Sequence, residues 1–255
     1  SRRRHTRYIS VTGVQTCALP IFGLFTSAWV TNPLVQADMK ATVKEMTPVA
    51  RLVIEPAVFA VRGDSPYKSM RDIIDAAKKD PTKIKQSGGS PLARDAVVRY
   101  VLMSNSGARW SFISFPTGSE RIAALLGGHV DMMILEPSEA GELIRGGQMR
   151  ALAQVSDRRL PTFPDIPTLR EAGFNVPNVP QARGIVAPPD TPREVVAFYE
   201  QLFEKTVKSP TWQKYLHENQ FEDAFLKGEA TGKFFDEYAD LMRGILQGAG
   251  IKVVR

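Results

Sequence analysis

From Phe22 onward, short apolar runs alternate with stretches whose apolar residues recur every three or four positions. Residues 56–61 form a continuous apolar run of strand length. Ser69 and Asp72 then have the spacing of a capping box. Met70, Ile73, Ile74 and Ala77 fall on one face of the helix this predicts. Pro81 closes the helix, and residues 83–87 read as the next strand. Pro91 suits the first turn of a long helix, and residues 110–115 read as a strand. Thr117 and Glu120 repeat the capping spacing ahead of Ile122, Leu125 and Leu126, and Gly127-Gly128 ends that helix. A strand at 130–135, a helix at 138–145 and a strand at 150–155 follow. This alternation predicts an α/β fold, a parallel sheet with helices on both faces.

Beyond residue 156 the pattern weakens. Residues 157–180 are rich in proline and read as loop, with one short helix near 168–172. Residues 183–187 are strand-like. Thr191, Pro192 and Glu194 signal a helix start, with Val195, Tyr199, Leu202 and Phe203 on its core face. A last helix carries an apolar stripe from Phe234 and Phe235 through Tyr238 and Met242 to Leu246, which reads as core.

The chain has 255 residues, 43 % of them hydrophobic and 24 % charged, the balance of a globular protein of one or two domains. No run of eighteen apolar residues occurs. The net charge of +6 invites a nucleic-acid reading, but its distribution argues against one. Arg2, Arg3, Arg4 and Arg7 lie in the first 21 residues, which hold no acid. Setting those four aside leaves 29 basic against 27 acidic side chains. The single cysteine, Cys17, excludes a disulfide framework and any multi-cysteine metal site. His129 and His217 are isolated from other ligand-type residues, so neither a metal nor a cofactor is expected.

Residues 1–21 have a basic start and a partly apolar continuation, as a signal peptide does. The apolar part is interrupted, however, and no Ala-x-Ala cleavage site follows. The segment 11–21 instead looks like the translation of a sequencing adaptor. Residues 1–21 are therefore read as a non-native leader, and no signal peptide is expected within this chain.

Candidate chemistry lies at three predicted strand-to-helix junctions: Ser87-Gly88-Gly89-Ser90-Pro91, Phe115-Pro116-Thr117-Gly118-Ser119 and Glu136-Pro137-Ser138. Each leaves backbone N–H groups unpaired at the positive end of a helix dipole. Three such junctions on one sheet make a pocket for carboxylates. No nucleophile–base pair or metal-ligand motif competes with them.

Four segments in register carry a resemblance. They are Leu125-Leu126-Gly127-Gly128-His129-Val130-Asp131; Gly147-Gln148-Met149-Arg150-Ala151-Leu152-Ala153; Arg158-Arg159 with Pro164-Asp165-Ile166-Pro167-Thr168-Leu169-Arg170-Glu171-Ala172-Gly173; and Gly184-Ile185-Val186-Ala187-Pro188-Pro189-Asp190-Thr191-Pro192. Together they resemble the solute receptors of tripartite tricarboxylate transporters, the Bug family of periplasmic binding proteins. The resemblance implies a type II periplasmic-binding-protein fold of two α/β lobes joined by two crossing segments. These are expected near 62–66 and 183–187. The middle lobe is then 67–182, and the outer lobe is 22–66 with 183–255. The resemblance starts partway through the family's first lobe. The outer lobe is therefore expected to be incomplete, without the glycine- and proline-rich loop ending in Asp that contacts ligand in the family.

By the same resemblance, Gly88, Gly89 and Ser90 match a loop that holds a ligand carboxylate. Thr117 and Gly118 stand where the family usually has a Tyr-Lys-Gly-like segment, which implies altered specificity. Thr117 is read either as a helix cap or as a cap that also binds. Ser138 is placed on the same cleft. Glu136 beside it either points away or selects an amine-bearing ligand. Thr26 and Ser27, with Asn32 shortly after, are the outer-lobe candidates. Arg183 is either a bidentate carboxylate ligand or an interlobe salt bridge. Asp131 is read as a loop cap. The implied function is a monomeric periplasmic receptor that binds a small carboxylate, without catalysis, and delivers it to membrane permease subunits. An enzyme on the same fold, the ligand-sensing domain of a transcription regulator and a gene fragment without function remain as alternatives.

Overall fold

The computed structural model describes residues 22–39 and 42–254, together with the backbone of two short strands. Those strands, β1 (Ile9–Val11) and β2 (Val14–Thr16), pair antiparallel. The rest of the 1–21 leader reading, Cys17 included, lies outside the described residues.

The first α/β unit contains a four-stranded antiparallel sheet. Its order is β11 (Glu222–Lys227), β4 (Thr47–Glu55), β10 (Gln181–Ala187) and β3 (Gly23–Thr26). The helices α1 (Ala28–Val35), α6 (Arg193–Val207), α7 (Pro210–Asn219) and α8 (Gly228–Gly248) belong with it. The second unit has a five-stranded sheet in the order β7 (Ser111–Ser114), β6 (Lys85–Gly88), β8 (Met132–Leu135), β5 (Ala57–Arg62) and β9 (Met149–Val155). Around it lie α2 (Met70–Lys79), α3 (Arg94–Ser106), α4 (Gly118–Leu126) and α5 (Pro137–Arg145).

The apolar run of β5 is buried on both faces. Phe59 and Val61 face a core with Ile73, Ile74, Val97 and Leu102, while Val58 and Ala60 face a second core with Leu125, Met133 and Leu135. That is the two-residue period of a strand covered on both sides. The first core continues into the other unit through Phe25, Phe235, Tyr238 and Met242. Ser69 forms the full capping box, its Oγ accepting the Asp72 N–H at 3.2 Å and Asp72 accepting the Ser69 N–H at 3.0 Å, while the Thr117 cap is one-sided, its Oγ1 accepting the Glu120 N–H at 3.2 Å.

Several expectations need correction. The five-stranded sheet is mixed, with β6 parallel to β7 and β8 but β5 antiparallel to β8 and β9. No crossover helix precedes β5, because the chain reaches it directly from β4. Glu55 ends a strand of one sheet and Ala57 begins a strand of the other, so the chain changes sheets at Pro56 and not at 62–66. The return lies between Val155 and Gln181, which puts residues 183–187 within β10. Helix α3 begins at Arg94, three residues after Pro91, and α6 at Arg193 with Pro192 as its cap.

No helix forms at 168–172. Thr168 bridges to Gln154, and the Leu169 N–H donates to the Gln154 carbonyl at 3.0 Å. A single turn follows, in which the Ala172 N–H donates to the Thr168 carbonyl at 3.0 Å, and Gly173, at φ 89°, ends it before a helix develops. Leu202 does not face the core but is 44 % exposed. Only one flank of α6 is covered, where Tyr199 and Phe203 pack with Phe22 and Leu52.

Candidate functional site

A cleft of about 420 Å3 opens between the two sheets, lined from both sides. The β6–α3 turn supplies Gly89 and Ser90, the β7–α4 turn Thr117 and Gly118, and α5 Ser138. From the other unit come Ser27 and Asn32, at the cap and within α1, and Arg183 on β10. Eight of the ten ligand candidates from the sequence thus share one cavity, and Glu136 lines it too. Gly88 and Thr26 lie outside its lining. A Cβ at Gly88 would stand 2.2 Å from the Phe112 ring and 2.3 Å from Asp95 Oδ2, so this position serves close packing behind the loop. Thr26 Oγ1 accepts the Ala28 N–H at 3.2 Å.

The donors expected for a ligand are largely engaged by the protein's own carboxylates. The Gly89 N–H donates to Asp95 Oδ2 at 2.8 Å. Arg121 lies 3.5 Å from the same oxygen. Burial pushes the Asp95 carboxyl up, against the opposing pull of these contacts. Arg183 grips Glu55 on the neighbouring strand with two hydrogen bonds of 3.0 and 2.8 Å. It is therefore paired within one sheet rather than across the cleft. Arg94, whose side chain is 7 % exposed, donates to the Glu55 carbonyl at 2.5 Å and to the Glu136 carboxylate at 2.7 Å. It ties the end of β4 to the end of β8, one from each sheet.

Neutral groups complete the lining. Ser27 Oγ donates to the Pro180 carbonyl at 2.8 Å and accepts the Ala182 N–H at 3.0 Å, pinning the start of α1 to β10. Tyr238 from α8 reaches Ser27 and Thr31, and burial raises its hydroxyl pKa. Thr117 caps α4 while facing the cavity, and Ser90 Oγ accepts the Leu92 N–H at 3.3 Å. Asp131, read as a loop cap, accepts the Lys85 N–H at 2.8 Å. No cluster of metal-ligating side chains occurs among the described residues.

Residues 21–251 match the family described as tripartite tricarboxylate transporter family receptor. The chain belongs to that family. A UPF0065 protein of Cupriavidus necator is 26 % identical over 209 residues, 82 % of this chain and 63 % of that protein. The chain thus spans less than two thirds of that relative. Among solved structures, Rpa4515 of R. palustris, determined with adipate, superposes with a TM-score of 0.83 at 20 % identity, over 92 % of this chain and 80 % of that one. MatC from Rhodopseudomonas palustris, with bound malate, gives 0.74 at 18 % identity, over 88 % and 78 %. These likenesses establish a periplasmic-binding-protein-like α/β fold.

The sequence reading of the receptor missed Glu55, Arg94, Asp95, Arg121, Glu139 and Tyr238. Arg94-Asp95 did carry a signal: two adjacent charges directly precede the apolar run Ala96-Val97-Val98, shortly after the glycine loop. Tyr238 looked like core and is core, but its hydroxyl end reaches the cleft.

Glu139 has a pH signature of its own. Burial, and secondarily the charge of Glu136, raise its carboxyl pKa. The ionised group therefore costs stability, a cost absent below the unfolded value of about 4.3 and growing as pH rises through the folded one. Glu139→Gln is expected to melt higher than wild type at pH 7, with the difference vanishing below about pH 4. A difference in melting temperature that is the same at both pH values would contradict this.

Proposed function

We propose that this chain acts as an extracytoplasmic solute receptor. It takes a small carboxylate into the cleft between two lobes and delivers it to a membrane permease of the tripartite tricarboxylate type. The lobes are residues 57–155 on one side, and 22–55 with 181–254 on the other. The observation carrying this reading is the cleft itself, lined from both sheets at the strand-to-helix turns. Ligands sit at such turns in open α/β sheets because helix N-termini and unpaired amides converge there. The family match and the adipate and malate bound by the two R. palustris neighbours support the carboxylate class. The ligand carboxylate contacts Ser90, Thr117 and Ser138 on one wall and Asn32 on the other. Hinge closure at Pro56 and in 156–180 then shuts the lobes around it.

A thermal-shift panel of small mono-, di- and tricarboxylates tests the reading. A ligand present at 100 times its Kd adds roughly 2.7 kcal/mol of stability. At least one acid is expected to raise the melting temperature, and silence toward all of them would contradict the reading.

A further inference from the structure

The charges of the cleft are unevenly matched. Three guanidinium groups and four carboxylates line it. Arg94 is paired with Glu136, Arg121 with Asp95 and Arg183 with Glu55. Among the described residues of the lining, Glu139 is the one charged side chain without an ion pair within 4 Å; it is solvent-exposed, and the opposing charge that acts on it, Arg121, is already engaged by Asp95. It stands in the first turn of α5, beside the amino end of α4, where a Cβ added at Gly118 would lie 3.1 Å from its Oε1. The α4 end that should greet a ligand anion thus already faces a carboxylate. A dianion entering this cleft meets a formal charge of −1 and no unpaired guanidinium. An ammonium group meets the opposite situation, an accessible carboxylate that no guanidinium grips.

We infer that the ligand carries a protonated amine beside its carboxylate, and that the amine docks on Glu139. This rests on the receptor reading above and narrows it from carboxylates at large to amino acids. The carboxylate end stays with the neutral donors, Ser90, Thr117 and Asn32, and the ammonium end supplies the missing counter-ion. Glu136, already held by Arg94 at 2.7 Å, contributes field rather than contact.

The test is calorimetric titration with matched pairs of four, five and six carbons. These are succinate and 4-aminobutyrate, glutarate and 5-aminopentanoate, and adipate and 6-aminohexanoate. Wild type is expected to bind at least one amino acid about tenfold more tightly than its matching diacid, a difference of about 1.4 kcal/mol. Glu139→Gln should erase that preference while still unfolding cooperatively. Tighter binding of the diacid at every length would overturn the inference and leave the receptor reading intact. So would an amino-acid preference that survives in Glu139→Gln. Silence toward all six compounds would overturn the inference, and the receptor reading is then decided by the wider carboxylate panel.

Discussion

Replacing Arg94 by methionine is expected to cost about 3 kcal/mol of folding stability, the largest effect of any single substitution in the cleft. Methionine keeps much of the volume, so the loss is not a cavity effect. It leaves the Glu136 carboxylate without its counter-ion and the Glu55 carbonyl without its donor. Breaking a buried pair from one side typically costs 3–5 kcal/mol, because the remaining charge stays desolvated. The lower end applies because the Glu136 side chain keeps 23 % of its exposure. Urea unfolding measures it directly. The double variant Arg94→Met, Glu136→Gln should recover part of the loss, since the orphaned charge is then gone. A loss below about 1 kcal/mol for the single variant would show that the pair is solvated and does not hold the two sheets together.

Gly184→Ala should destabilise by a similar amount, about 3 kcal/mol, at the upper end of what overpacking costs. Gly184 sits in β10 between β3 and β4, beside an irregularity in the β4 register. A Cβ there would lie 2.2 Å from the Ala50 carbonyl oxygen, 2.8 Å from the Arg51 Cα and 2.4 Å from the Phe25 ring. Two of those contacts are the backbone of a paired strand, which cannot rotate aside. Gly244→Ala is the natural control. It lies in α8 with nothing within 4 Å of an added Cβ, and should be stabilising by about 0.5–1 kcal/mol through helix propensity alone. Equal melting temperatures for the two variants would contradict the close approach at Gly184.

The contrast between those two glycines shows what could be read from the chain. Local signals were legible. Ser69 with Asp72 and Thr117 with Glu120 marked helix starts that the structure keeps, and the apolar face from Met70 to Ala77 is buried. Strand neighbours were not legible, because pairing is decided by packing between distant segments. Nothing near Gly184 in sequence announces the Ala50 backbone. The antiparallel setting of β5 likewise depends on strands that arrive 70 or more residues later. Leu202 follows the helical period of α6 faithfully, yet periodicity names a face without saying whether anything covers it.

The same division runs through the cleft. Turn glycines and capping hydroxyls follow from local rules, and six of the eight residues chosen that way line one cavity. Its charges do not follow from local rules. Arg94 meets Glu55 and Glu136 across 39 and 42 residues of chain. Asp95 satisfies the very amide, on Gly89, that the glycine loop offers to a ligand. The amide that the loop was expected to offer a ligand is thus already taken by the protein's own carboxylate.

The claim on which all of this turns is that the interlobe cleft is where the solute binds. The most direct measurement is calorimetric titration of wild type and Ser138→Trp with whichever acid or amino acid gives the largest thermal shift. Ser138 lies in the first turn of α5, faces the cavity and is solvent-exposed, so an indole there fills space without disturbing the core. The variant is expected to unfold as cooperatively as wild type while losing at least a hundredfold in affinity, about 2.7 kcal/mol. Unchanged affinity in a folded Ser138→Trp would place the solute elsewhere and contradict the account.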